Sequence, residues 1–314
     1  MKPLRIGTRG SKLALWQAEY VRGRLMQELG IESELVVIKT TGDQFSAASI
    51  PDVGGKGIFI KEIEDAILDG RVDFAVHSMK DVPTDFCDVC RVYVVFERED
   101  PRDCLISRGG ETLAKLRRGA RIGTSSVRRA SQLRNFRPDF EVVGLRGNVD
   151  TRLRKLDAGE YDAIVVAKAG IGRLSLTSRI AETLSSDVML PAPGQGALGI
   201  EYFEADRDLY TPFLDKFEHQ ATVLAVTCER ALQDELQGGC TVPLGAWARM
   251  ENGTMKLDAC VLSPDGAESL RRTTATNCQT SAEAQSLGRG LARELLDAGA
   301  DRLLRWAGRS SGGR

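Results

Sequence analysis

The sequence predicts an α/β fold, because short runs of β-forming residues alternate with stretches of helical periodicity along most of the chain. Prolines and glycines at residues 191–196 mark a break in this alternation. Near residue 219 the pattern changes to one long helical stretch followed by strand-like runs. We therefore expect two α/β domains with mostly parallel sheets and a smaller α+β domain near the C-terminal end.

The first of these domains begins with a strand and a well-delimited helix. Ser11 is a suitable N-cap, and Gly30 is suited to end the helix. The elements predicted here are a strand at residues 4–8, the helix from Ser11 to Gly30, a strand at 35–39, a glycine-rich loop at 53–57, a helix at 59–68 that Gly70 ends, and a strand at 73–76.

The same alternation continues through the second half. The elements predicted here are strands at residues 120–123, 142–145, 163–167 and 197–202, a helix at 219–236, strand-like stretches at 242–249 and 255–262, and a helix at 282–298. The strand at 197–202 is expected to return to the first domain. The predicted domains are residues 1–97 with 196–216, residues 98–195, and residues 217–307, followed by a disordered tail at 308–314.

Composition narrows the classes of function. The 314 residues carry 43 basic and 44 acidic side chains, a net charge of -1, which argues against a general nucleic-acid binder. The absence of a secretory start and of a run of about 20 apolar residues favours a cytosolic protein without membrane association. Seven scattered cysteines indicate reduced thiols, and two histidines make a metal site poorly supported, including one at Cys87 and Cys90.

Cations cluster where predicted strands end. Because ligands of open α/β sheets gather outside the carboxyl ends of the strands, these junctions are candidate binding positions. Five of them carry cations, and four of these add a small polar side chain: Arg9 with Ser11, Lys80 with Ser78, Arg128 and Arg129 with Ser126, and Arg146 and Arg152 with Asn148; the fifth carries Lys168 and Arg173. The alternative is a solvated basic face. A ligand with several carboxylate or phosphate groups would suit the arginines.

Phosphate binding has little motif support, because neither G-x-x-x-x-G-K-[ST] nor a G-x-G-x-x-G after a strand is present. The loop V-G-G-K-G either is a flexible surface loop or brings Lys56 over the ligand.

Asp81 is a carboxylate among cations, and either forms a structural ion pair or stabilises a cation during reaction. Cys240 follows two glycines, which could expose its thiol or simply form a loop.

Eight motifs follow one another along residues 4–299: G-T-R-x-S-x-L-A-L-W-Q-A, V-G-G-K-G-x-F, H-S-M-K-D-V-P, E-R-E-D-P-R-D, G-T-S-S-x-R-R, L-R-G-N-V-x-T-R-L-x-K-L, A-P-G-Q-G-A and G-G-C. This order of motifs resembles the porphobilinogen deaminase family. The resemblance implies two α/β domains like those of periplasmic anion-binding proteins around a cleft, plus a smaller α+β domain bearing the cofactor cysteine.

The resemblance also implies chemistry. The family condenses four porphobilinogen molecules, with release of ammonia, on a dipyrromethane primer held by a thioether at the position of Cys240, to give hydroxymethylbilane for porphyrin biosynthesis. Asp81 matches the catalytic aspartate. The implied cofactor-binding residues are Cys240, Lys80, Ser126, Arg128, Arg129, Arg146 and Arg152; the implied substrate-binding residues are Arg9, Ser11, Arg146, Arg173 and Gln195; the implied active-site loop contains Lys56 and Phe59. No metal is implied, and we expect a monomer.

Some features depart from the family pattern or favour another class. Asp52 stands where some members carry lysine, and the C-x-x-C at Cys87 has no counterpart in the pattern. A non-catalytic anion-binding protein is the main alternative, although it would not need a third domain that presents Cys240. Nucleic-acid binding through residues 121–154, which hold five more arginines than acidic residues, is opposed by the neutral overall charge and by few aromatic residues there.

Overall fold

The computed structural model describes residues 2–40, 60–84, 87–237 and 242–304. The chain divides into two compact units, residues 1–98 with 197–223 and residues 99–196 with 224–314. The described residues form three β-sheets, and the first unit contains one of them. The predicted bounds of three separate domains stay a prediction.

Strands and α-helices alternate over residues 4–78 and again over residues 121–173. The elements before the second unit begins are β1 (Leu4–Thr8), α1 (Lys12–Leu29), β2 (Ser33–Val37), α2 (Lys61–Leu68), β3 (Phe74–Ser78) and β4 (Cys90–Val95). The elements up to residue 196 are β5 (Asp103–Ser107), β6 (Arg121–Gly123), α3 (Val127–Phe136), β7 (Glu141–Val143), α4 (Val149–Asp157), β8 (Ala163–Ala167), α5 (Lys168–Arg173) and β9 (Glu182–Thr183). The remaining elements are β10 (Leu198–Phe203), α6 (Arg207–Leu214), α7 (Gln220–Glu235), β11 (Leu244–Glu251), β12 (Thr254–Leu262), β13 (Ser269–Asn277) and α8 (Ser281–Asp297).

The first two sheets share one arrangement. The sheet of the first unit has the order β2-β1-β3-β10-β4, in which β1 pairs parallel with β2 and β3 while β10 is antiparallel to both of its neighbours. The second sheet has the order β7-β6-β8-β5-β9, with β6 parallel to β7 and β8 and β5 antiparallel to both of its neighbours. In each sheet, three parallel strands end at one edge, where the junction residues follow.

Helices cover both faces of these two sheets, which explains why their strands are apolar on both sides. In the first sheet, Phe74 and Ile6 pack with α1 on one face, and Ile63 of α2 packs on the other. In the second sheet, Ile122 packs with Leu133 of α3 on one face, whereas Ile164 packs with the apolar side of α4 on the other.

The third sheet has the order β11-β12-β13 and is antiparallel throughout. Its buried face packs against apolar residues of α7 and α8, such as Leu232 and Leu291. The predicted fold class, two α/β sheets and a smaller α+β region with its own sheet, is thus confirmed.

Local sequence signals account for the start of the chain. The Ser11 hydroxyl accepts a hydrogen bond of 3.2 Å from the Ala14 backbone N–H, as expected of an N-cap. Gly30 ends α1 with a φ of 63°, in the left-handed region that favours glycine. The predicted return of residues 197–202 to the first sheet is also confirmed, because β10 pairs with β3 and β4.

Several elements were missed. No strand is predicted at β4, β5, β9 or β13, and no bounds are predicted for α3 to α6. In β13, seven of nine residues are exposed, so the strand lacks the alternation of buried and exposed side chains that would indicate it. The predicted tail at 308–314 lies outside the described residues.

Candidate functional site

The junctions of the first unit hold their polar groups at the surface. Arg9 and Ser11 follow β1; both are half-buried, and Ser11 caps α1. Gln17 of α1 is buried and donates a 2.7 Å hydrogen bond from Nε2 to the Ser78 hydroxyl at the end of β3. This bond ties the start of α1 to the strand that leads to Lys80 and Asp81.

Asp81 lies in a short 3-10 turn, Met79–Asp81, that begins directly after β3. Met79 is buried, and its backbone N–H donates a 3.0 Å hydrogen bond to the Ala197 carbonyl oxygen next to β10. Lys80 is half-buried and Asp81 is exposed. The turn is thus fixed by its buried residue while the carboxylate of Asp81 stays accessible to a ligand.

His77, four residues before Asp81, forms a buried pair with Glu201. His77 Nε2 is 2.7 Å from Glu201 Oε2, and both side chains are buried within the sheet of the first unit. His77 is therefore engaged with Glu201 inside the sheet.

The cations of the second unit behave differently, because two of them are buried on one carboxylate. Ser126 caps α3 by accepting a 3.4 Å hydrogen bond from the Arg129 N–H. Arg128 Nη1 donates to Asp103 Oδ2 at 2.7 Å, and Arg129 donates to Asp103 Oδ1 from Nε at 3.1 Å and from Nη2 at 2.8 Å. Asp103 is fully buried, with Arg128 and Arg129 exposed by only 5% and 7%.

Electrostatics decide the ionisation of this group. Burial alone would raise the pKa of Asp103, but the charges and hydrogen bonds of Arg128 and Arg129 outweigh it and hold that pKa well below its ordinary range. Burial lowers the pKa of Arg128, which Asp103 opposes. Because an arginine stays protonated under all ordinary conditions, the three side chains form an ionised group with a net charge of about +1.

Gln195 belongs to the same group. It is 1% exposed, and its Nε2 donates to Asp103 Oδ1 at 3.0 Å and to the Pro101 carbonyl oxygen at 2.6 Å. The flanking glycines, Gly194 and Gly196, have φ values of 71° and 91°, and a Cβ on Gly196 would lie 2.5 Å from the Glu99 carbonyl oxygen. The P-G-Q-G segment therefore needs its glycines to turn Gln195 toward Asp103.

The remaining predicted cations lie at two other junctions of the second unit. Arg146 is exposed, while Arg152 donates a 2.8 Å hydrogen bond from Nε to the Gly147 carbonyl oxygen. Asn148 caps α4 through a 2.9 Å hydrogen bond from the Thr151 N–H. Arg173, at the end of α5, is buried and donates from Nη2 to the Gly196 carbonyl oxygen at 2.8 Å.

Within its own unit, the structure therefore brings Arg128, Arg129 and Gln195 together on Asp103. Asp103 was missed as a site residue, although it ends the motif E-R-E-D-P-R-D and is the first residue of a fully buried strand. A carboxylate at the head of such a strand is a signal for buried cationic partners. Lys56, Phe59 and Cys240 lie outside the described residues.

The cysteines of the described residues are all free thiols; Cys87 is half-buried and the other five are buried. Burial raises the pKa of Cys260 to about 11 and that of Cys104 to about 12, which keeps these thiols protonated and unreactive at neutral pH. In the part of the chain that the structure describes, no group of three or more potential ligands could hold a metal ion, and no helix is long and apolar enough to cross a membrane.

Two family models match the chain. The model described as porphobilinogen deaminase, dipyromethane cofactor binding domain, matches residues 4–211, and the model of the porphobilinogen deaminase C-terminal domain matches residues 223–297. The porphobilinogen deaminase of Geotalea uraniireducens strain Rf4 is 47% identical over 305 residues, which cover 97% of this chain and 94% of that protein. The porphobilinogen deaminase of Nitratidesulfovibrio vulgaris strain Miyazaki F is 48% identical over 307 residues, which cover 97% and 96%.

A solved structure with a similar fold is the periplasmic substrate-binding protein of an ABC transporter from Coxiella burnetii. It superposes with a TM-score of 0.39 at 16% identity, covering 68% of this chain and 89% of that one.

Proposed function

Since this chain belongs to the porphobilinogen deaminase family, we propose that its strand-end cations hold carboxylates of a dipyrromethane cofactor and of porphobilinogen, and that Asp81 acts on the reacting pyrroles. The enzyme is a hydroxymethylbilane synthase, a transferase of porphyrin biosynthesis that joins four porphobilinogen molecules and releases ammonia. The observation that carries the assignment of Asp81 is its exposed carboxylate in a turn held by buried Met79.

The residues present fit a ligand with several carboxylates. Arg146 is exposed at its junction, and the group of Arg128, Arg129 and Asp103 keeps one positive charge in excess. Porphobilinogen and dipyrromethane both carry acetate and propionate arms, and arginine binds such groups through two parallel hydrogen bonds. When bound, the cofactor supplies the free pyrrole α-carbon to which the first porphobilinogen is added.

Asp81 supports the reaction through its charge. Loss of ammonia from porphobilinogen leaves an electrophilic azafulvene, and positive charge develops on the pyrrole nitrogens as the new carbon–carbon bond forms. A fixed carboxylate next to these nitrogens stabilises that charge and accepts or returns a proton. Lys80, the neighbouring residue, carries the opposite charge and is suited to bind a carboxylate arm.

Cys240 is the proposed attachment point of the cofactor. Five of the six cysteines that the structure describes are buried, which opposes attachment at those positions. Two glycines precede Cys240 in the sequence, and they allow the backbone to turn tightly beside the thiol. Lys56 and Phe59 are proposed to belong to a loop that covers the substrate. Arg9, Ser11 and Arg173 are proposed to bind carboxylates of the substrate, and Arg152 is proposed to bind those of the cofactor.

Turnover of porphobilinogen tests the assignment of Asp81. We expect the wild type to release ammonia and to form a product that yields uroporphyrin. Asp81→Ala should keep the fold and the bound cofactor but lose turnover by about 100-fold or more, as is common when a group that stabilises transition-state charge is removed. Asp69→Ala, at an exposed aspartate of the same unit, serves as the matched control and should retain wild-type turnover. Equal turnover of the Asp81→Ala variant and the wild type would refute the assignment.

Intact mass tests the role of Cys240. The wild type should exceed its sequence mass by one dipyrromethane, the addition should survive dithiothreitol because a thioether is not reducible, and Cys240→Ala should lack it. Cys87→Ala is the control, since Cys87 is half-buried rather than buried, and it should keep the addition. An active enzyme with an unmodified Cys240 peptide would contradict the site.

We further propose that the enzyme is a monomer that works in the cytosol. The near balance of acidic and basic residues supports the absence of a nucleic-acid partner. Light scattering coupled to size-exclusion chromatography should give the mass of one 314-residue chain, and a mass of two chains would contradict the proposal.

A further inference from the structure

Asp103 is an ionised carboxylate in a place where water cannot reach it. It is the first residue of β5, a strand whose five residues are all buried, and its own exposed fraction is 0%. A charge in such a place must be compensated by partners of opposite charge, because burial of an unpaired carboxylate is strongly unfavourable. Arg128, Arg129 and Gln195 supply four hydrogen bonds to its two oxygen atoms.

The two arginines use their donors differently. In Arg129 every nitrogen donates, because Nε and Nη2 bond to Asp103 and Nη1 donates to the Val165 carbonyl oxygen at 3.2 Å. In Arg128 only Nη1 is used, with bonds of 2.7 Å to Asp103 and 2.6 Å to the Leu190 carbonyl oxygen. The Nε and Nη2 groups of Arg128 donate to no residue that the structure describes, although only 6% of its side chain is exposed.

Charge at this position also favours a further anion. Two guanidinium groups share one carboxylate, and both arginines lie in the first turn of α3, where the helix dipole adds partial positive charge. A carboxylate placed at the Nε–Nη2 edge of Arg128 would form two parallel charged hydrogen bonds and balance the excess charge. Gln132 holds the neighbouring backbone, because its Nε2 donates to the Leu190 oxygen at 3.1 Å.

We propose that Asp103 is a positioning residue, which anchors Arg128 so that its Nε–Nη2 edge binds one carboxylate of the dipyrromethane cofactor. This inference rests on the proposed function and assigns to Asp103 no contact with the cofactor itself. Arg128 donates to Oδ2 of Asp103, whereas Arg129 and Gln195 hold the same carboxylate by donating to Oδ1. The orientation of Arg128 is thus set by the rigid start of β5 rather than by its own flexible side chain.

The positioning role of Asp103 is tested by a substitution that removes its negative charge and keeps the size of the side chain. Asp103→Asn places an amide opposite two cations, so that Arg128 loses its anchor. Protein produced without porphobilinogen is mixed with porphobilinogen, and the gain of adduct mass is followed with time. We expect Asp103→Asn to slow this gain by about tenfold or more, in line with the loss of one charged hydrogen bond. Asp139→Asn, which breaks a partly exposed pair with Arg137 in the same unit, should keep the wild-type rate.

A double-mutant cycle separates positioning from general destabilisation. If Asp103 acts through Arg128, then Asp103→Asn should slow adduct formation by less than twofold when Arg128→Leu is already present. Equal effects of Asp103→Asn in both backgrounds would overturn the proposal. If Asp103→Asn does not fold, the cycle is run with Asp103→Glu, which keeps the charge but moves it, and the same two outcomes apply.

The wild type separates this proposal from the proposed function. A wild type that neither gains adduct mass nor releases ammonia from porphobilinogen would refute the function. A wild type that does both, together with an Asp103 variant that gains the adduct at the same rate, would refute only the role of Asp103.

Discussion

The strand-end residues of the first unit and those of the second unit differ in their surroundings. Asp81 is exposed in a turn whose fixed position comes from buried Met79, so its carboxylate has no described structural partner to lose. Arg128 and Arg129 are buried on Asp103, and their charges are needed to keep that carboxylate ionised. We therefore expect the proposed ligand-binding role to be separable from folding at Asp81 and inseparable from it at Arg128 and Arg129.

The largest effect on stability is expected at Arg129. Arg129→Leu leaves Asp103 with fewer partners in the interior, and breaking a buried ion pair in this way costs about 3–5 kcal/mol. Urea unfolding should show this loss, whereas Arg179→Leu, which removes an exposed pair with Asp157, should change the free energy of unfolding by less than about 1 kcal/mol. Equal effects of the two variants would remove the proposed contrast between the units.

The ionisation of Asp103 should make the free energy of unfolding depend on pH in acid. The folded pKa of Asp103 is lowered, so its contribution to stability is present above the ordinary aspartate pKa of about 3.9 and is lost as the pH falls toward the folded value. The difference in the free energy of unfolding between the wild type and Asp103→Asn should therefore shrink below a pH of about 4. Unfolding curves from pH 6 to pH 3 measure this, and a constant difference would contradict it.

A smaller loss is expected at Gln195. Gln195→Leu removes one donor from Asp103 and leaves the Pro101 carbonyl oxygen without the 2.6 Å hydrogen bond that Gln195 donates. Loss of such a buried bond costs about 1–3 kcal/mol. The measurement is urea unfolding at neutral pH, and a loss below about 0.5 kcal/mol would show that the two arginines alone hold Asp103.

The smallest effect on stability is expected at Asp81. Asp81→Asn should change the free energy of unfolding by less than about 0.5 kcal/mol, as for most exposed positions, while turnover falls sharply. Thermal unfolding and ammonia release measured on the same preparation compare the two effects. A stability loss comparable to that of Gln195→Leu would show that Asp81 is structural and that the two units do not differ in this respect.

The sequence predicts features that depend on neighbouring residues better than those that depend on distant ones. Ser11 and Gly30 delimit α1 through local capping, and β8 has its predicted bounds because its apolar run is short and continuous. The sequence also predicts the cations at the strand ends, because each follows an apolar strand. The partner of Arg128 and Arg129 could not be predicted in this way, since Asp103 is separated from them by 25 and 26 residues. Burial, which makes these arginines structural, depends on tertiary packing and not on local pattern.

The position of β10 in the first sheet constrains the order of folding. This strand lies between β3 and β4, and it is the only described strand with which β4 pairs. The second sheet uses only strands between residues 103 and 183, which are synthesised before β10 and emerge from the ribosome ahead of it. Pairing between distant segments is slow, because the entropy of closing the intervening chain is lost before the contacts form. The nascent chain can therefore form its second sheet first. Until residues 198–203 emerge, β4 lacks the strand with which it pairs.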